Sequence, residues 1–325
     1  MLRESILSLT FDIEMCTNFP YWTNIWDHCK GLIDDGTRYY INNILNIARK
    51  ENVKFQFFLL GRSFKNYKNV NLFKNIIREG HSIGNHTYNH INIKAKRFKQ
   101  LQTFYIKNQK LLKGFKNVFE VIRYEIEKTN VLIQKKLRVN VIGFRAPYGF
   151  ENGIKDFPKL QYFLLEKGFK YISSQYNFPV EKVSDIIIPG GFLIKSSSTN
   201  LKKYKPEMKE LELALKWSIK NLQPYKYSNG LLEIPMMGLT DVWAFRLLDL
   251  DKSEWLHLIN LAIHYAHKNS LICSLVFHPA ILAVKDPHLE TIKFILEEAR
   301  RESYKILTND DIVYMFKENK NKLNY

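Results

Sequence analysis

Two histidines four positions apart, His86 and His90 in Gly84-Asn85-His86-Thr87-Tyr88-Asn89-His90, can turn their imidazoles towards one point from a helical turn or a tight loop, which suits a metal ion. Two carboxylates, Asp12 and Glu14, close the apolar run Ile6-Leu7-Ser8-Leu9-Thr10-Phe11-Asp12-Ile13-Glu14. In an extended chain, residues separated by one position point to the same side. Acids at the end of a buried strand are costly unless they are paired or bound to a cation. Arg145-Ala146-Pro147-Tyr148 and His278-Pro279 each follow another apolar run. Two imidazoles and one carboxylate leave coordination positions open on a divalent ion, as catalytic sites do. A second carboxylate could then take a proton from water, and a further histidine could return one to a leaving amine. The plainer reading of each residue type is a solvated strand exit or a core histidine, so the weight rests on their order along the chain.

The elements that must position these groups alternate. A strand over Ile6–Glu14 is followed by helical spacing from Tyr39 to Lys50, a strand over Val53–Gly61, and a helix over Leu72–Glu79 with Gly80 placed as its C-terminal cap. From Ile93 to Leu137 the spacing predicts basic amphipathic helix packed on a barrel wall. Strands at Val139–Phe144, Phe169–Ser173, Ile186–Gly191, Leu231–Met236 and Leu271–Phe277 then alternate with helices at Leu160–Lys167, Glu207–Asn221, Trp255–Ala266 and Thr291–Arg301. This rhythm predicts an α/β fold with its site at the carboxyl ends of the strands. No repeat, low-complexity linker or boundary divides it, so one domain is expected.

At 325 residues, 46% hydrophobic and 14% aromatic, the chain can build a sizeable core. No uncharged apolar run reaches membrane-spanning length and the amino terminus lacks a signal-peptide shape, so a cytoplasmic location is expected. Cys16, Cys29 and Cys273 are expected as reduced thiols rather than a disulfide framework, and with His28 they offer too few spaced ligands for a second metal site. The net charge of +17 leaves peripheral contact with an anionic membrane open. Lysine, asparagine and isoleucine abound throughout, as A/T-rich codons produce, and no nucleic-acid motif stands out, so a nucleic-acid partner is not expected. Oligomeric state is not encoded legibly.

Taken in order, Thr10-Phe11-Asp12-Ile13-Glu14, His86-Thr87-Tyr88-Asn89-His90, Arg145-Ala146-Pro147-Tyr148 and Leu275-Val276-Phe277-His278 resemble the motifs of the polysaccharide deacetylase family, the NodB-homology or carbohydrate esterase family 4 group. Glu79-Gly80-His81-Ser82-Ile83-Gly84-Asn85-His86 fits the family's spacer closely, and the resemblance spans about residues 5 to 315 outside the basic segment near 95 to 137. It implies a distorted (β/α)7 TIM-like barrel, a single domain over 1–325 with residues 95–137 as a helical insertion, and metal-assisted removal of an acetyl group from an N-acetylated sugar of a glycan or lipid-linked precursor. Carried over residue by residue, Asp12 becomes the general base, His278 the general acid, and Glu14, His86 and His90 the ligands of a divalent ion, zinc first among the choices. Arg145 would hold Asp12 ionised and oriented, the backbone N–H of Tyr148 would assist the oxyanion, and Tyr148, Pro147 and Trp243 would meet the substrate.

The sequence departs from the family pattern in places. The second acid of the first motif comes one residue late and as glutamate, and Gln56 stands where threonine is common. The fourth motif, which supplies an aspartate and a tryptophan, is missing after Lys170, leaving Asp241 and Trp243 as substitutes. That leaves hydrolysis of another non-peptide C–N bond, deformylase- or allantoinase-like, as the alternative on the same scaffold, and a catalytically silent glycan-binding module as the alternative of another class.

Overall fold

The computed structural model describes residues 4–17, 30–102, 108–180 and 206–321. The first strand, β1 (Ile6–Ile13), is buried at all eight positions, as a strand covered on both faces must be. It pairs in parallel with β2 (Gln56–Leu59) on one side and β8 (Ile272–Phe277) on the other. From β2 the parallel pairing continues through β3 (Ser82–Asn85), β4 (Gly143–Phe150), β5 (Tyr171–Gln175) and β7 (Leu232–Glu233). The short β6 (Tyr225–Lys226) adds an antiparallel edge to β7, and β9 (Lys305–Ile306) pairs with β1. The parallel strands curl into the expected distorted (β/α)7 barrel. Strands β7 and β8 share no ladder among the described residues; the N–H of Met237 donates to the Ser274 carbonyl at 2.9 Å and closes the ring there.

The helices lie outside this ring and bury one stripe each. In α1 (Asp35–Lys50) the stripe is Thr37, Tyr40, Ile41, Ile44, Leu45 and Ala48, and the helix starts where the Asp34 carboxylate accepts the Thr37 N–H at 2.9 Å. Next come α2 (Tyr67–Arg78), α3 (Val118–Leu137), α4 (Pro158–Glu166) and α5 (Met208–Asn221). The chain closes with α6 (Lys252–Lys268), α7 (Pro279–Lys285), α8 (Glu290–Arg301) and α9 (Asn309–Asn321). None among the described residues is long and apolar enough to cross a membrane.

Two expectations need correction. The predicted helix from Ile93 is not continuous: the described residues before α3 hold only 3-10 turns at Phe98–Gln100 and Gln109–Leu112. Gly114, at φ +100°, turns the chain, and Asn117 then caps α3 by accepting the Glu120 N–H at 3.1 Å. The strand predicted over Val139–Phe144 starts later, at Gly143, and runs to Phe150, so Arg145 and Tyr148 lie within β4 rather than beyond it. The strand exit expected at Ile186–Gly191, together with His28 and Cys29, falls outside the described residues, while Cys16 and Cys273 are buried.

Candidate active site

Four strand ends meet at one mouth of the barrel. Asp12 and Glu14 leave β1, His86 follows β3, Tyr148 rises from β4 and His278 follows β8; with His90, Ala146, Tyr176, Met236, Thr240, Val242, Trp243 and Val276 they line one cavity. The strands can approach closely here because residue 84 is glycine. A Cβ on Gly84 would lie 2.5 Å from the Phe58 ring, and that ring supports the Arg145 guanidinium at 4.5 Å.

Glu14, His86 and His90 are all buried and offer ligand atoms within 4.8 Å of one another. Glu14 Oε2 stands 3.2 Å from His86 Nε2 and 2.7 Å from His90 Nε2. His86 Nδ1 donates to the Arg145 carbonyl at 3.0 Å, which fixes the tautomer whose Nε2 lone pair faces inward. Burial pulls His90 down to about 3 against the attraction of Glu14, so this imidazole is neutral at pH 7. Burial would raise Glu14, but His90, the Lys30 ammonium and the close approach of both imidazoles hold it well below the usual carboxylate range. Two imidazoles and an ionised carboxylate, converging out of water with one imidazole locked from behind, fit a divalent ion. His90 Nδ1, by contrast, has no hydrogen-bond partner among the described residues.

The acid–base pair flanks this cluster. Asp12 Oδ2 lies 4.0 Å from His278 Nε2, which is also 3.8 Å from Glu14 Oε1. His278 is held by Asp241, whose carboxylate accepts the His278 backbone N–H at 2.6 Å and bonds Nδ1 at 2.7 Å. Burial would lower this histidine, but Asp241, by charge and hydrogen bond, and then Glu14 and Asp12 outweigh it, so it titrates above the ordinary histidine value. The geometry therefore gives His278 an aspartate partner even though the fourth motif is absent from its usual place.

Arg145 is fully buried, donates from Nη2 to Thr10 Oγ1 at 2.7 Å, and stands 3.8 Å from Asp12 Oδ1. That separation is an ion pair and too long for a hydrogen bond. Arg145 backs the cavity without lining it, and Pro147 does not line it either: the register shift in β4 between Arg145 and Phe150 leaves Ala146 and Tyr148 at the wall instead. Tyr148, at φ +76°, donates its hydroxyl to the His90 carbonyl at 3.3 Å and sets its ring edge-on to His90. Trp243 is buried in the wall, edge-on to Tyr176 and Phe178.

The sequence gives no cue to Lys30. Its fully buried ammonium pairs with Glu14 Oε1 and lies 3.5 Å from His90 Nε2, while the next N–H, of Gly31, donates to the Glu14 carbonyl at 2.6 Å. Nothing separates it by type or spacing from the other lysines of a lysine-rich chain. Tyr176, Met236 and Thr240 were likewise without a motif.

The polysaccharide deacetylase profile matches residues 32–156, a span that holds His86, His90, Arg145 and Tyr148 and leaves out Asp12, Glu14 and His278. Among curated proteins the chain is similar to YlxY of Bacillus subtilis, itself uncharacterized, at 34% identity over 110 residues, 34% of this chain and 27% of that protein. It is also similar to a peptidoglycan-N-acetylglucosamine deacetylase of Bacillus cereus, at 38% identity over 80 residues, 24% of this chain and 28% of that one. The matched segment thus spans little more than a quarter of either relative. Among solved structures, a candidate polysaccharide deacetylase from Mycobacterium smegmatis superposes with a TM-score of 0.65 at 15% identity, covering 98% of this chain and 92% of that one. Puue allantoinase superposes with a TM-score of 0.59 at 12% identity, covering 95% and 89%. At such identities the likeness is one of fold.

Proposed function

We propose that this chain, which matches the polysaccharide deacetylase profile over residues 32–156, is a member of that family and that residues 1–325 form one metal-dependent deacetylase domain acting on an N-acetylated sugar of a glycan or glycan precursor. The observation that carries the reading is the convergence of Glu14, His86 and His90 within 4.8 Å, in a cavity that Asp12 and His278 also line. Glu14, His86 and His90 would hold the ion, for which zinc is our choice. A divalent ion in such a ligand set supplies Lewis-acid polarisation of an amide carbonyl and activation of water.

The chain's own residues do the rest. Asp12, with the Arg145 guanidinium 3.8 Å behind it, accepts the proton of the attacking water as general base. The backbone N–H of Tyr148, re-aimed by the positive φ at that residue, donates to the developing oxyanion, a contribution typically worth about 3 kcal/mol. His278, whose protonated form Asp241 favours, gives its Nε2 proton to the leaving amine; acetate and the free amino sugar are the products. Tyr148 and Trp243 offer ring faces to the sugar, while Pro147, carried by β4 between Ala146 and Tyr148, adjoins them.

The test is metal analysis of the purified chain combined with acetate release from a chito-oligosaccharide. Stoichiometric zinc with chelator-sensitive acetate release is expected. The barrel's likeness to an allantoinase favours one second reading, cleavage of another non-peptide amide, and the same assay read for formate and ammonia separates the two. Glycan binding indifferent to chelator and to Asp12→Asn, without turnover, would instead mean a silent binding module.

A further inference from the structure

The segment with no evident role in the sequence contains α3, and α3 places a carboxylate where its own pattern calls for an apolar residue. The buried stripe reads Val118, Val121, Ile122, Glu125, Ile126, Thr129, Ile133, Leu137, with Glu125 fully buried among them. Burying a carboxylate costs several kcal/mol unless its oxygens are satisfied. Here they accept three hydrogen bonds from the stretch between the two histidines. Glu125 Oε2 takes the backbone N–H of Tyr88 at 3.0 Å and of Asn89 at 2.6 Å, and Oε1 takes Asn89 Nδ2 at 2.7 Å.

That stretch is strained. Thr87 and His90 sit at φ +63° and +60°, a region side-chain-bearing residues adopt at a cost of about 1–3 kcal/mol each unless their surroundings impose it. The same helix grips the loop's start, where Asn85 Nδ2 donates to the Ile126 carbonyl at 2.9 Å and to Asn130 Oδ1 at 2.7 Å. From the other side Gln102 Nε2 donates to the carbonyls of Asn89 and His90. We infer that Glu125 is the positioning residue for the histidine pair: it holds the Thr87–His90 turn in its strained form, so that His86 and His90 face the same point as Glu14. The inference rests on the proposed metal site for its function and on these hydrogen bonds for its structure, and the two can fail separately.

Two measurements on the full chain test it. In chelator-treated protein, amide exchange at Tyr88 and Asn89 should quicken by at least about tenfold in Glu125→Ala while protection in the body of α3 is retained. In competition with a zinc chelator, Glu125→Ala should bind zinc about 10–100-fold more weakly than the parent, with Glu125→Gln, which keeps one acceptor oxygen, falling between. Should Glu125→Ala fail to fold, Glu125→Gln and Gln102→Ala carry both measurements. Unchanged exchange at Tyr88 and Asn89, or unchanged zinc affinity beside quickened exchange, overturns the assignment. A parent chain that binds no zinc overturns the metal reading instead, and the exchange result then still decides whether Glu125 holds the turn.

Discussion

Glu14 and Glu233 are both buried carboxylates at strand ends of the same barrel, and they are satisfied in opposite ways. Glu233 accepts from Ser174 N and Ser174 Oγ at 2.6 Å each, from Gln175 N at 2.9 Å and from the Tyr227 hydroxyl at 2.6 Å. All are uncharged donors, two backbone N–H groups and two buried hydroxyls, and burial still leaves Glu233 titrating above the ordinary value. Glu14 has two imidazoles and an ammonium around it, opens onto a cavity, and titrates well below the ordinary value. A carboxylate saturated by neutral donors staples strands together. One surrounded by exchangeable ligands has its coordination available for chemistry.

The largest effects should come from the Glu14 side. Asp12→Asn is expected to lower kcat by about 10²–10⁴-fold while zinc affinity stays near that of the parent, whereas His86→Ala should lose both. Steady-state kinetics beside chelator competition check this, and an Asp12→Asn protein that keeps its turnover would remove Asp12 from the mechanism. The mirror experiment is Glu233→Ala, which strands several buried donors. It should cost about 3 kcal/mol or more in urea unfolding and leave zinc affinity of the folded protein unchanged; a loss of zinc binding without a loss of stability would erase the distinction between the two carboxylates.

Lys30→Met sharpens the comparison next. Removing the ammonium that pairs with Glu14 and lies 3.5 Å from His90 Nε2 takes a positive charge away from the proposed ligands and frees a carboxylate oxygen, so zinc affinity should rise by about tenfold or more. Weaker zinc binding would mean that Lys30 orients Glu14 for the ion. The smallest effect concerns pH. His278 acts as an acid only when protonated, and its raised pKa extends that form to higher pH. Asp241→Asn withdraws the charge that does most to raise it, so the alkaline limb of kcat/KM should move to lower pH, with the acid limb in place. A pH–rate profile with an unmoved alkaline limb would show that Asp241 does not tune His278.

Much of this arrangement was legible in the chain. The four motif ends are short and carry unusual residue types at apolar strand exits, so Asp12, Glu14, His86, His90, Tyr148 and His278 stand out and all line the cavity. Helices α1, α2 and α4 to α6 follow from apolar spacing, while the ladders of β6 and β9, two residues each, are too short to leave a pattern. Lys30 reaches the site only through tertiary approach, which no local spacing encodes, whereas Asp241, named as a substitute for the missing fourth motif, is found bonded to His278. Glu125 left a trace, an acid on an apolar stripe, visible once the start of α3 is fixed at its Asn117 cap.

The closure of the ring has a consequence of its own. Between β7 and β8 a lone backbone bond, from Met237 to Ser274, stands where every other neighbouring pair of barrel strands has a ladder, and within a few residues of Met237 the chain supplies Met236, Thr240, Val242 and Trp243 to the cavity. Across this seam the strands are tied by that backbone bond and by side-chain bonds, chiefly Asp241 to His278 at 2.6 and 2.7 Å, so a movement there shifts four cavity-lining residues at the cost of side-chain contacts rather than of a strand ladder. Among the barrel's strand junctions this is the one with least backbone pairing among the described residues, and the Met237 amide is where its breathing would first be felt.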